Sequence, residues 1–292
     1  MDQAEQLRIL KANQQQSAKP LARVITVTSG KGGVGKSNTS INLAIQFRKM
    51  DKKIIILDAD FGLANIEIMF GTVPKHNFCD LIYQGKSITE IITWGPMDVG
   101  FISGGSGIAG MSNLSRDYLS YIIQNLDQLD TMADIIIVDT GAGISDAVLE
   151  FLVASGEILL VTTPEPTSIT DSYSLLKALY RHPRFSEEAT KVKMIANRVE
   201  KESEGLVLFD KLNAVVSRYL KIPMTYLGSI PEDVQLLRAV MQQMPVSIQN
   251  PGARSAVAYE KIAQKLLGRE EEERQPKRGM AAFFSHIMIG KK

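Results

Sequence analysis

The feature that most restricts the fold of this chain is the run Gly30-Lys31-Gly32-Gly33-Val34-Gly35-Lys36-Ser37, which satisfies G-x-x-x-x-G-K-[ST] directly after the apolar stretch 24–28. Glycines in such a turn let backbone N–H groups point inward around phosphate oxygens, and the N-terminus of a following helix favours the same negative charge. The motif carries this meaning only between a strand and a helix, and residues 37–49 do continue with helical periodicity. Residues 30–38, closing on Asn38, therefore read as a phosphate cradle. Lys36 is placed to reach the β and γ phosphates of a nucleotide, and the Ser37 hydroxyl to ligate Mg2+.

The rest of the chain alternates short apolar runs with helical periods, as a doubly wound, mostly parallel α/β sheet with helices on both faces requires. Strands are predicted at 24–28, 53–57, 99–103, 135–138, 158–162, 192–196 and 225–228, and helices at 37–49, 114–129, 169–180, 205–220 and 253–267. Runs such as Ile135-Ile136-Ile137-Val138 are apolar without alternation, the mark of a strand buried on both faces. A length of 292 residues would suit two domains, but one large open sheet can also occupy it, and 45% apolar residues allow that core.

Composition removes several function classes. With 33 basic against 32 acidic residues there is no global positive field, so no nucleic acid is expected as a partner. Cys79 is the sole cysteine, which excludes a disulfide framework and a cysteine-held metal or iron–sulfur cluster. His76, His182 and His286 are scattered without metal-ligand spacing. The N-terminus is acidic and glutamine-rich rather than basic then apolar, and no apolar run is long enough for a bilayer, so a cytoplasmic location is expected.

The second lysine of the motif, Lys31, is not needed by an ordinary phosphate loop. With it the loop resembles the deviant Walker A of the MinD/ParA and nitrogenase-iron-protein class. The resemblance covers roughly residues 23–267 and implies an Mg-dependent ATPase, with ATP and Mg2+ bound and Lys31 crossing to a partner's phosphates in an ATP-held homodimer. The stretch Leu57-Asp58-Ala59-Asp60-Phe61-Gly62-Leu63-Ala64-Asn65 resembles the first switch of MinD proteins, which implies that Asp58 supports the Mg2+ shell and Asp60 orients the attacking water. Asp139, ending Ile137-Val138-Asp139-Thr140-Gly141, matches a Walker B aspartate holding a magnesium-bound water. Asn197-Arg198 and Pro231-Glu232-Asp233 match the family's base-flanking segments; an Asx turn and a proline-started helix are the plainer alternatives. The chain departs from MinD at Gly141, where MinD has proline, and at Asn38, where threonine is usual.

Two appendages flank this core, giving predicted units at 1–22, 23–268, 269–276 and 277–292. Residues 2–10 read as a short helix with Ala4, Leu7 and Leu10 on one stripe, followed by a glutamine-rich tether ending at Pro20. Asp2-Gln3-Ala4-Glu5-Gln6-Leu7-Arg8 resembles the activator helix of the bacterial flagellar number regulators (FlhG type), which implies stimulation of the signal-recognition-type GTPase FlhF through Gln3, Leu7 and Arg8. The same resemblance implies components of the flagellar C-ring as further partners.

Glu270 to Glu273 form a charged linker. Beyond it Met280, Phe283, Phe284, Ile287 and Met288 gather on one side of a helical wheel, between Lys277-Arg278 and Lys291-Lys292. That pattern suits an interfacial helix on anionic lipid, peripheral on the inner face of the membrane, although an apolar stripe can equally pack on a core. A division-site MinD protein, a DNA-partitioning ParA protein and a metabolic P-loop kinase are the rival readings. The N-terminal helix argues against the first, the apolar tail against the second, and the lack of an acceptor site or lid against the third.

Overall fold

The computed structural model describes residues 21–60, 65–104, 125–268 and 279–289. Its strands are β1 (Arg23–Thr28), β2 (Ile54–Ala59), β3 (Thr93–Trp94), β4 (Gly100–Ile102), β5 (Ile135–Thr140), β6 (Glu157–Thr162), β7 (Lys191–Val199) and β8 (Met224–Pro231). They form one eight-stranded sheet in the order β3-β4-β2-β5-β1-β6-β7-β8. All pairings are parallel except that of β3 with β4. The strand period of two explains the unbroken apolar runs: Ile135 and Ile137 enter the core on one face of the sheet, Ile136 and Val138 that on the other.

One face is covered by α1 (Lys36–Lys49), α2 (Asn65–Phe70), α9 (Val234–Met241), α10 (Val246–Gln249) and α11 (Arg254–Gly268). The other carries α3 (Phe78–Tyr83), α4 (Ile88–Ile91), α5 (Leu129–Met132), α6 (Asp146–Ala154), α7 (Pro166–Arg181), α8 (Glu202–Tyr219) and α12 (Met280–Ile289). The predicted helix at 114–129 lies mostly outside the described residues, as do the predicted elements at 1–20 and 269–278. The sequence reading passed over β3, too short to show a period, and α6. The latter buries Val148, Phe151, Leu152, Val153 and Ala154 within nine residues and leaves only Asp146 and Glu150 as a polar face, too short to establish the helical repeat.

The expected lipid-facing side of the C-terminal segment faces protein here. Met280, Phe283, Phe284 and Ile287 are buried in one cluster with Phe78 and Phe151, whose rings stand 5.9 Å from Phe284 and 6.0 Å from Phe283. The first free N–H of α12, on Met280, donates to the Asp130 carboxylate at 2.8 Å, while Arg184 bridges the His286 carbonyl and Glu150 at the other end. On the other side of the helix Ala282 and His286 are exposed and Ser285 is half-buried. Met288 lies within the helix.

Candidate nucleotide site

In a parallel sheet the loops leaving the carboxyl ends of the central strands converge, and ligands bind there. β1 runs into the glycine loop and then α1, which starts at Gly35 in the left-handed region (φ 91°) with no side-chain cap, so its first N–H groups stay free for an anion. A Cβ on Gly35 would stand 2.3 Å from the Asn197 amide nitrogen, and one on Gly30 would stand 2.2 Å from the Asp171 backbone. Both positions need glycine. Gly32 and Gly33 are exposed, Val34 is buried, and Ser37 and Asn38 sit half-buried on the first turn of α1.

The Lys36 side chain is buried, with Nζ 3.2 Å from Asp139 Oδ1. That oxygen also accepts from the Ser40 hydroxyl at 2.7 Å. Asp139 and Asp58 are register partners on adjacent strands, so two buried carboxylates share a single lysine. Burial above all, and then the Asp139 charge, push the Asp58 carboxyl up to about 7 despite the backbone N–H groups of Asp60 and Ile66 that it accepts. Lys36 Nζ and Asp139 Oδ2 are buried without a directed hydrogen bond. Orphaned groups of both signs in one dry site fit a ligand carrying both, and an Mg-nucleotide supplies phosphate oxygens for the lysine and a dication for the acids.

Asp60 stands at the edge of this cluster, where the Asn65 side chain donates to it at 3.2 Å. The loop after β5 closes over the same place, its Gly143 N–H donating to the Ser29 carbonyl at 3.0 Å. Lys31 points within its own chain, to Glu165 at 2.9 Å and Thr167 at 3.0 Å at the start of α7. Its ammonium holds the Glu165 carboxyl below the usual range.

The base-flanking residues divide. Asn197 donates to the Val34 carbonyl at 2.7 Å, fastening the loop, while its Oδ1 is buried without a partner and open to an amino group. Arg198 is exposed in the left-handed region (φ 55°). Pro231 ends β8 half-buried, and Glu232 is exposed beyond it. The Asp233 oxygens cap α9 through Gln235 N–H and bind Ser255 N–H and hydroxyl, the contacts that the proline-started helix alternative calls for.

Ser40, Asn65, Glu165 and Thr167 had no assigned role from sequence. Ser40 could have been found, since it lies one helical turn beyond Lys36 and shares its face. Glu165 and Thr167 are 134 and 136 residues from Lys31, and no local signal connects them.

A profile of the family described as ParA, NUBPL iron-transfer P-loop NTPase, matches residues 20–267. The chain belongs to the ParA/MinD family of P-loop ATPases. Among relatives, the antiactivator FleN of Pseudomonas aeruginosa is 38% identical over 84% of this chain and 86% of its own length. The flagellum site-determining protein YlxH of Helicobacter pylori is 32% identical over 91% of this chain and 90% of its own. The fold also matches the cell division ATPase MinD of Pyrococcus furiosus, with a TM-score of 0.66 at 21% identity over 85% of this chain and 99% of that one.

Proposed function

We propose that this ATPase regulates the number and placement of flagella, using ATP-dependent dimerisation to control its residence on the membrane. The unfinished charge cluster of Lys36, Asp58 and Asp139 supports the ATPase half of this reading, and the similarity to FleN and YlxH across most of the chain supports the flagellar half. Lys36 would neutralise the β and γ phosphates, and Lys31, leaving Glu165, would reach the phosphates of a second copy. Ser37 would ligate Mg2+ directly, with Asp58 and Asp139 through water; the ion supplies charge neutralisation on the phosphates. Asp60 would orient the attacking water, and Asn197 Oδ1 would accept from the adenine amino group. Arg198 and Pro231 would close around the base.

The segments divide the labour on this reading. Residues 23–268 form the ATPase, 277–292 the membrane element on the linker 269–276, and 1–22 the arm that stimulates the GTPase FlhF through Gln3, Leu7 and Arg8. Burying the four docked apolar side chains of α12 contributes roughly 6–12 kcal/mol in either protein or lipid, so the two environments compete on similar terms. A single helix holds the membrane marginally; two on one ATP-held dimer bind by effective concentration. No helix among the described residues is long and apolar enough to cross a membrane.

Sedimentation with anionic liposomes in ADP and in ATP tests this reading. The protein should pellet in ATP and stay in the supernatant in ADP, and Phe283→Glu with Ile287→Glu should abolish pelleting. Pelleting that ignores the nucleotide would overturn the switch.

A further inference from the structure

The two acids of the nucleotide site are held by different means. Asp58 is fixed by the backbone: its Oδ1 accepts the Asp60 N–H at 3.1 Å and its Oδ2 the Ile66 N–H at 3.3 Å. Among the described residues the Asp139 carboxylate meets no backbone donor, only two side chains. Both approach the same oxygen, with Ser40 Oγ at 2.7 Å and Lys36 Nζ at 3.2 Å from Oδ1. The other oxygen, Oδ2, is buried without a partner.

These two donors have different prospects when a nucleotide arrives. Lys36 is the cation that the phosphates call for, and its Nζ makes no directed hydrogen bond that would keep it from them. Ser40 stays where it is. It lies fully buried on α1, one turn beyond Lys36 and on the same face. Its hydroxyl carries a single proton. The rival acceptor, the Lys36 carbonyl, stands at 3.3 Å, and a carboxylate at 2.7 Å is the stronger partner. A serine inside a helix contributes less to helix stability than alanine would, and burying it adds no apolar contact, so the bond to Asp139 is what this side chain supplies.

We infer that Ser40 is a positioning residue for the metal side of the ATPase reaction. Once Lys36 has turned to the phosphates, Ser40 is the remaining protein donor on Asp139 Oδ1. It fixes the rotation of the carboxylate, which keeps Oδ2 free for a magnesium-bound water. Without it, the group could turn about its Cβ–Cγ bond and present either oxygen, since that torsion is soft. Ser37 and Ser40, three residues apart on α1, thus divide the work: the first hydroxyl serves the ion, the second the acid behind it. The inference rests on the reading that Asp139 serves Mg2+ through water.

ADP binding by the full-length protein, measured by isothermal titration in excess Mg2+ and in EDTA, separates the metal side from the phosphate side. Ser40→Ala should keep its affinity in EDTA within about 2-fold of wild type and lose about 10-fold of the gain that Mg2+ brings, as removal of a group behind a metal ligand does. Ser40→Cys, which preserves the shape of the site with a weaker donor, should fall between the two. Asp139→Asn should lose the same gain, and the double variant with Ser40→Ala should lose no more than Asp139→Asn alone, because Ser40 acts through that carboxylate. Equal losses in Mg2+ and in EDTA, or losses that add in the double variant, would overturn the inference. A loss in Asp139→Asn without one in Ser40→Ala would strike Ser40 and leave the metal reading standing. If wild type binds ADP equally in Mg2+ and in EDTA, the metal role of Asp139 fails, and that of Ser40 with it.

Discussion

Two buried charge clusters sit at opposite ends of the same sheet, and they are built to opposite rules. At the amino ends of the strands, Glu157 receives both Arg23 nitrogens at 2.8 and 2.9 Å and Lys193 at 2.9 Å, while the remaining Arg23 nitrogen donates to the Leu266 carbonyl. Burial alone would raise the Glu157 carboxyl, but Arg23, with Lys193 behind it, brings it below its ordinary value. At the carboxyl ends, Asp58 and Asp139 share Lys36, orphaned atoms remain, and Asp58 titrates near 7. The first cluster is complete within the chain and ties β1, β6, β7 and α11 together. The second is completed only by something brought to it. A buried charge that is satisfied belongs to the fold; one that is left open marks a binding site.

The contrast can be broken by substitution. Glu157→Ala should show the largest effect on stability, a loss of about 3–5 kcal/mol in urea unfolding, because Arg23 and Lys193 are left buried without their anion. Its ATP affinity should stay near that of the wild type, and a large loss there would mean that the two ends are coupled. Lys36→Ala should weaken Mg-ATP binding roughly 100-fold, about 2.7 kcal/mol by isothermal titration. Unchanged affinity would remove Lys36 from the site.

Asp58→Asn sharpens the difference through pH. The folded-state value of about 7 lies above the ordinary 3.8, so the native protein holds the proton more tightly than the unfolded chain. This group's contribution to stability is therefore full below about pH 4 and is lost as pH rises to about 7. Without nucleotide, the Asn variant should be more stable than wild type at about pH 8, the gap narrowing by about 2–3 kcal/mol on going to about pH 5 and closing below about pH 4. A gap that is independent of pH would mean that Asp58 is not held protonated. The smallest effect is expected for Lys31→Ala, since its partners Glu165 and Thr167 lie on an exposed surface: monomer stability should change by less than ~1 kcal/mol. Light scattering in ATP should nevertheless show a weakened dimer, and an intact one would confine Lys31 to its contacts in cis.

The sequence was most readable where chemistry and local order coincide. The glycine loop, Lys36, Ser37, Asp58 and Asp139 all sit at the ends of apolar runs, and these ends meet in any parallel sheet, so the motif alone places them together. Pairs formed by distant residues were not readable. Asn197 donating to Val34 spans 163 residues and Lys31 with Glu165 spans 134, and neither leaves a trace in spacing. Asp233 caps α9 and holds Ser255, contacts that link it across 22 residues and that the local sequence does not show.

The order of strands and helices, the phosphate cradle and the apolar stripe of α12 were thus determined by the chain itself, because each depends on residues within a turn or two of one another. What the stripe faces was decided by tertiary structure. The periodicity of Met280, Phe283, Phe284 and Ile287 requires an apolar partner but cannot say whether lipid or protein provides it, since hydrophobic burial has no direction. Here Phe78 on α3 and Phe151 on α6 provide it, brought together because α3 and α6 follow the neighbouring strands β2 and β5 and cover the same face of the sheet.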